Sequence, residues 1–313
     1  MNWSSFLMPV IIIVFIFSCG APADSKIDGG SEEIPNIKAE SEHLIYVNDL
    51  FEKYLDENVV IVDFRESSQY LEGHIPGAIN LYRTDITCEK EYVKGLISSK
   101  DSLEYRLGVL GVSSDKKIIV YDGKGACEAS RFWWTMNYYG FTDVQVLNGD
   151  FDLWKSRTYP VDHAHEISIP TSFIFPESNK NPYSASKQDV LRAIDDTNVV
   201  IVDSRTIEEY TGEILKKGAF RKGRIPTSIH VDWANSIDYD GSRECKNVND
   251  LKYDLERKGI TKDKEVIFYC QSGTRSAHST FVLTQLLGYE NVKNYDGSWI
   301  EWSQDLSLQI ERD

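Results

Sequence analysis

The segment Cys270-Gln271-Ser272-Gly273-Thr274-Arg275 concentrates residue types suited to thiol chemistry. It follows Val266-Ile267-Phe268-Tyr269, an apolar run that reads as a buried strand. It precedes a stretch, Ser276 to Leu287, with apolar residues at helical spacing. Ligands of open parallel sheets gather beyond the carboxyl ends of the strands, so this order delivers Cys270 to the edge where sites form. Gly273 permits a tight, left-handed turn. Such a turn can aim successive amide N–H groups inward, making an anion cradle at a helix amino terminus. A thiolate in that cradle is held by oriented dipoles, and Arg275 adds a full positive charge. Both effects lower a cysteine pKa from about 8.5 toward neutrality or below. Cys270 is therefore the expected nucleophile, with Gln271, Ser272, Gly273, Thr274 and Arg275 as the groups that bind its substrate.

The elements that must position this loop occur twice. Val59-Val60-Ile61-Val62-Asp63-Phe64-Arg65 recurs as Val199-Val200-Ile201-Val202-Asp203-Ser204-Arg205, and Ile118 to Asp122 answers to Val266 to Cys270. From there the register holds: Asp122 to Gly125, Ala129, Gly140, Gly149 and Trp154 are steps of 3, 7, 18, 27 and 32, the same as Cys270 to Gly273, Ala277, Gly288, Gly297 and Trp302. Short β-branched runs at 59–62, 79–81, 118–121, 144–147, 199–202, 229–231, 266–269 and 292–295 read as strands. Uniformly apolar runs indicate strands buried on both faces, as in a parallel sheet covered by helices. Helical spacing covers 49–55, 130–139, 187–194 and 276–287. The fold expected is α/β, two similar domains at 42–162 and 184–313, joined by a Pro-containing linker at 163–183.

The 313 residues carry 34 Lys plus Arg against 49 Asp plus Glu, a net charge of −15, which argues against nucleic acid as a partner. Phe6 to Phe17 is an uncharged apolar run, shorter than the roughly 20 residues a membrane-spanning helix needs. It fits the hydrophobic region of a signal peptide spanning 1–18. Ser18-Cys19-Gly20 resembles the lipobox of bacterial lipoproteins, which implies lipid on Cys19, a tether at 19–41 and an exported protein held at the cell envelope. The remaining cysteines, Cys88, Cys127, Cys245 and Cys270, form no C-x-x-C pair, so no zinc or redox motif and no metal is expected. Their pairing is not readable from spacing.

The pattern Val-Asp-x-Arg, Gly-x-Ile-Pro, Tyr-Cys-x-x-Gly-x-Arg-Ser and Asn291-Val292-Lys293-Asn294-Tyr295-Asp296-Gly297-Ser298-Trp299 resembles the tandem rhodaneses, the thiosulfate sulfurtransferases, over about residues 42 to 311. The resemblance implies that the second domain holds the active Cys270 and that the first, with Asp122 in its place, is inactive. It implies double displacement without a cofactor: Cys270 takes the outer sulfur of thiosulfate, sulfite leaves, and a thiophilic acceptor removes the sulfur from the persulfide. Arg275 would bind the sulfonate oxygens. The partners implied are a small anionic sulfur donor and a thiol acceptor. The nearest rival is a mercaptopyruvate sulfurtransferase, whose Cys-Gly-Ser-Gly type of loop is only partly matched. Many thiosulfate enzymes have Arg where Glu209 stands. Phosphatase chemistry is disfavoured because four residues, not five, separate Cys270 from Arg275. A non-catalytic sulfur carrier or binding module is the third alternative.

Duller roles are expected elsewhere. Asp63, Arg65, Asp203 and Arg205 occur in both halves and read as structural pairs, and Trp133 and Trp134 as packing residues. His278 reads more readily as a surface histidine than as a proton shuttle, and Cys127 as an idle loop cysteine. The basic stretch Lys216, Lys217, Arg221, Lys222 and Arg224 reads as a solvated loop before it reads as a steering patch.

Overall fold

The computed structural model describes residues 40–164, 168–177 and 182–313. The segments expected as signal peptide and most of the tether, with Cys19, lie outside the described residues. Each half is built on a parallel five-stranded sheet. In the first, β1 (Leu44–Tyr46), β2 (Val59–Asp63) and β3 (Ile79–Asn80) precede an antiparallel hairpin of β4 (Thr87–Lys90) and β5 (Val93–Ile97). Then follow β6 (Lys117–Tyr121) and β7 (Val144–Asn148), giving the order β1-β7-β6-β2-β3. The second half has β8 (Ser184–Ala185), β9 (Val199–Asp203), β10 (Ile229–His230), β11 (Glu265–Tyr269) and β12 (Val292–Tyr295), in the same order read from its other edge, β8-β12-β11-β9-β10.

The duplication extends to register. Asp63 pairs with Tyr121 across β2 and β6, and Asp203 pairs with Tyr269 across β9 and β11. The eight expected strands are all present. Their Val, Ile, Phe and Tyr side chains fill cores on both sheet faces, for example Ile118 and Val120 on one side and Ile119 and Tyr121 on the other. At each strand end a buried ion pair fixes the turn that follows: Arg65 Nη2 donates to Asp63 and to the Gly73 carbonyl, and Arg205 repeats this with Asp203 and Gly223. Removing one partner of such a buried pair costs about 3–5 kcal/mol.

The two halves share a core. The helices Cys127–Tyr138 and Thr274–Phe281 pack on each other, and Ala277 and Phe281 join the same apolar cluster as Phe132, Trp133 and Trp134. Trp133 meets Phe281 edge to face at 5.0 Å. Both helices are therefore buried almost all round, and their amino termini, with the loops before them, come together. The stretch expected as a linker is partly core: Phe173 and Phe175 are buried against the first domain, and Thr171 bonds to the Gly108 and Val112 carbonyls.

Candidate active site

β11 delivers Cys270 to the sheet edge, and Gly273, at φ +80°, turns the chain into the helix Thr274–Phe281. The loop is braced from several sides. The Cys270 amide donates to Ser298 Oγ at 3.1 Å, and the Trp299 amide donates to the Cys270 carbonyl at 3.0 Å. The Gly273 carbonyl accepts from Asn294 Nδ2 at 3.2 Å and from Arg131 Nη1, from the first domain, at 3.4 Å. Arg131 is fully buried, pairs with Asp296 at 2.6 Å and donates to the Gly95 carbonyl at 3.0 Å. Asp296 also accepts the Ile97 amide at 2.9 Å. One arginine of the first half thus ties the β4–β5 hairpin to the loop of Cys270.

Burial opposes ionisation of Cys270, but Arg275, the Ser276 hydroxyl and the Ser276 and Ser272 amides outweigh it, so the thiol lies below the ordinary cysteine value. Ser276 Oγ is buried without a hydrogen-bond partner, close enough to the sulfur to help lower the thiol. Cys270 is 1 % exposed, yet it lines a cavity of ≈ 630 Å³ between the halves, together with Gln271, Ser272, Thr274 and Arg275. Thr274 Oγ1 and Gln271 Oε1 are buried there without partners. Six cationic side chains line the cavity (Arg83, Lys94, Lys124, Lys216, Lys217, Arg275) against two carboxylates, Glu89 and Glu128. In a chain of net charge −15 this is a local reversal of sign that favours an anionic guest. A second cavity of ≈ 530 Å³ also touches Trp233 but has no cysteine in its lining.

The expected loop residues are thus brought together; Gly273 contributes through its turn and its anchored carbonyl. The disposition of Arg275 was not foreseen. Its Nη1 and Nη2 donate to Glu209 at 2.6 and 2.9 Å, so the end-on fork of the guanidinium is taken. Sequence reasoning also missed Arg131, Ser276 and Ser298. Ser276 adjoins Arg275, and a hydroxyl one residue farther along was a usable signal; Arg131 acts across domains and left none.

In the first half, Asp122 stands where Cys270 stands and fills the corresponding cradle. Its carboxylate accepts the amides of Lys124, Ala126, Glu128 and Ala129 at 2.6 to 3.0 Å. Burial pushes this carboxyl up to about 6 against the pull of those amides. The loop geometry expected to hold an anion therefore does so in this chain's other copy. The second half covers this loop in return: Arg243 forks onto Asp150, and Tyr239 OH donates to the Lys124 carbonyl.

Several expectations are corrected. His278 is not on the surface; it is fully buried, edge-on to Trp233, and burial lowers it to about 4. Cys127 opens the helix Cys127–Tyr138 and lines the cavity, its thiol pushed well up by burial and then by Glu128, Asp122 and Cys270. Of the basic stretch, Lys216 and Lys217 line the cavity, whereas Arg221 bonds to the carbonyls of Trp302, Ser303, Asp305 and Leu308, and Arg224 pairs with Glu311 and Asp313. The four described cysteines are free thiols.

Comparison with known proteins places this geometry. The rhodanese-like domain matches twice, at residues 47–157 and 186–305. A Haloferax volcanii protein provisionally named thiosulfate sulfurtransferase is 34% identical over 283 residues, covering 84% of this chain and 94% of its own. The thiosulfate sulfurtransferase of Azotobacter vinelandii is 32% identical, covering 81% and 91%, and the sulfur carrier protein TtuD of Thermus thermophilus is 32% identical, covering 82% and 89%. Among solved structures, the anaerobic ergothioneine biosynthesis enzyme from Chlorobium limicola, in complex with trimethyl histidine, superposes with a TM-score of 0.76 at 22% identity, over 90% of this chain and 73% of that one. With its domain present in both halves, the chain belongs to the rhodanese family.

Proposed function

We propose that the protein is a sulfurtransferase that moves sulfane sulfur from thiosulfate to a thiophilic acceptor through a persulfide on Cys270. The supporting observation is a buried cysteine whose sulfur is cradled by amides, a hydroxyl and an arginine, at the wall of a net-cationic cavity. Relatives named for this activity, from Haloferax volcanii and Azotobacter vinelandii, lend it support.

In the first half-reaction the Cys270 thiolate attacks the outer sulfur of thiosulfate. The S–S bond of the donor breaks, its electron pair leaves with sulfite, and Cys270 carries S–S⁻. In the second, cyanide or a thiolate takes the terminal sulfur and the Cys270 thiolate returns. Charge is conserved in each step, and no cofactor enters. The Ser272 and Ser276 groups that lower the thiol stabilise the anionic sulfur throughout, the preorganised electrostatics expected of such a site. Replacing Cys270 with Ser is expected to abolish thiocyanate formation from thiosulfate and cyanide; full turnover in that variant overturns the assignment.

A second donor, 3-mercaptopyruvate, is favoured by one observation: Glu209 takes the end-on fork of Arg275 and offsets its charge, which weakens its hold on a dianionic sulfonate. Comparing kcat/KM for the two donors with purified protein decides. A sulfur-carrier role, as the name of the Thermus relative has it, predicts single labelling of Cys270 by ³⁵S-thiosulfate without turnover. The leader sequence supports a further part of the proposal, export and lipid attachment at Cys19; mass spectrometry of the mature amino terminus tests it.

A further inference from the structure

The Arg275 guanidinium meets Glu209 in a two-bond fork at 2.6 and 2.9 Å, and Glu209 is 2 % exposed. Lys216 stands 3.8 Å from the same carboxylate. Glu209 therefore sits between two of the six cations of the cavity. It lies on the short helix Ile207–Thr211 and is held there as the capping partner of Thr206. Thr274 Oγ1 and Gln271 Oε1, by contrast, are buried in the cavity wall without partners.

We propose that Glu209 is a positioning residue that turns the end-on edge of Arg275 away from the donor and tempers its charge at Cys270, so that Lys217 and the Thr274 hydroxyl share the donor's anionic end. This deepens the sulfurtransferase reading and rests on it. Lys217 fits the part: it lines the cavity, it makes no ion pair among the described residues, and its carbonyl accepts Gln271 Nε2 at 3.2 Å, which ties it to the loop of Cys270. A guanidinium paired end-on with a carboxylate gives up one N–H of each terminal nitrogen and has its charge offset, so its end-on fork is closed to a sulfonate and only its side edge remains. The charges facing Glu209 are Arg275 and Lys216, with Arg205, Glu208 and Asp232 beyond them. Those facing Cys270 are Arg275 from its own loop and Cys127 across the cavity.

The test uses the full chain and two readouts. The pH dependence of iodoacetamide alkylation, with modified Cys270 counted by peptide mapping, reports the resting thiolate and needs no donor. Steady-state turnover reports KM for thiosulfate. Glu209→Gln is expected to move the alkylation midpoint to lower pH and to lower the thiosulfate KM about fivefold, with a smaller change in kcat. Unchanged midpoint and KM in a folded E209Q protein overturn the proposal, as does a midpoint that rises. Should E209Q fail to fold, Arg275→Gln is compared with the E209Q/R275Q pair, in which no buried charge is orphaned. The midpoint is expected to rise in R275Q and to return downward in the pair; a pair indistinguishable from R275Q overturns the proposal. A midpoint that shifts as expected while thiosulfate gives no turnover would sink the donor assignment and leave the role of Glu209 standing.

Discussion

Replacing Gly273 with Ala tests whether the loop is the catalytic apparatus. At φ +80° the position lies in the left-handed region, where a Cβ costs about 1–2 kcal/mol. The added carbon would also meet Arg131 Nη1, the Asp296 carbonyl oxygen and Asp296 Oδ1, each at 2.9 Å. Two of these belong to the ion pair that locks the domains together, and the third is backbone, so the loop itself must yield. Overpacking of this kind adds about 1–3 kcal/mol, for a total of roughly 2–5 kcal/mol. In a chain of this size that corresponds to a Tm lower by roughly 3–8 °C. Displacement of the Ser272 and Ser276 amides by a fraction of an ångström should cost about 100-fold in kcat/KM, because such groups act through position. Calorimetry and the thiocyanate assay on one preparation measure both. A G273A protein with wild-type Tm and turnover would refute the claim that this turn holds the sulfur.

Three further outcomes follow from other contacts. Arg131→Met should destabilise by about 3–5 kcal/mol, because Asp296 keeps its charge without its buried partner, and should slow turnover although Arg131 lies in the half without Cys270; urea unfolding and kcat together check this. Asp122→Asn replaces an acceptor of four amides by a group that must turn donors toward some of them, with an expected loss of about 2–4 kcal/mol and little change in the Cys270 alkylation midpoint. His278 is lowered by burial to about 4, against an ordinary 6.5, so the unfolded chain binds its proton first as pH falls. Its contribution is complete above about pH 6.5 and is lost down to about pH 4, on the order of 3 kcal/mol, and His278→Phe should flatten the stability profile in that window.

The sheets were legible because their central strands are short β-branched runs with no competing pattern, and because the repeat supplied each twice. The edge strands Leu44–Tyr46 and Ser184–Ala185 were not, since two or three residues carry no periodicity. The hairpin Thr87–Ile97 was also hidden: its charged residues and its glycine read as loop, and it is set by pairing and by docking on Asp296 of the second half. Cys270 and its loop could be read from a strand followed by Gly and Arg. The fate of Arg275 could not, because its partner lies 66 residues away on another element. His278 misled for a related reason. Its neighbours Ser276, Ser279 and Thr280 suggest a wet face, but the helix is enclosed by the first domain and by Trp233. Polar residues that look exposed locally can be buried by a duplicate of their own domain.

The carboxylate of Asp122 has one more consequence. Its cradle is occupied by a covalently attached guest, whereas under the proposed mechanism the cradle at Cys270 would take a thiolate and a persulfide in turn. The first half would then see no change of occupant during a cycle. It would supply the hairpin, Arg131 and the Cys127 helix as an invariant wall, and all the rearrangement demanded by a longer sulfur chain would fall on the half that carries Cys270.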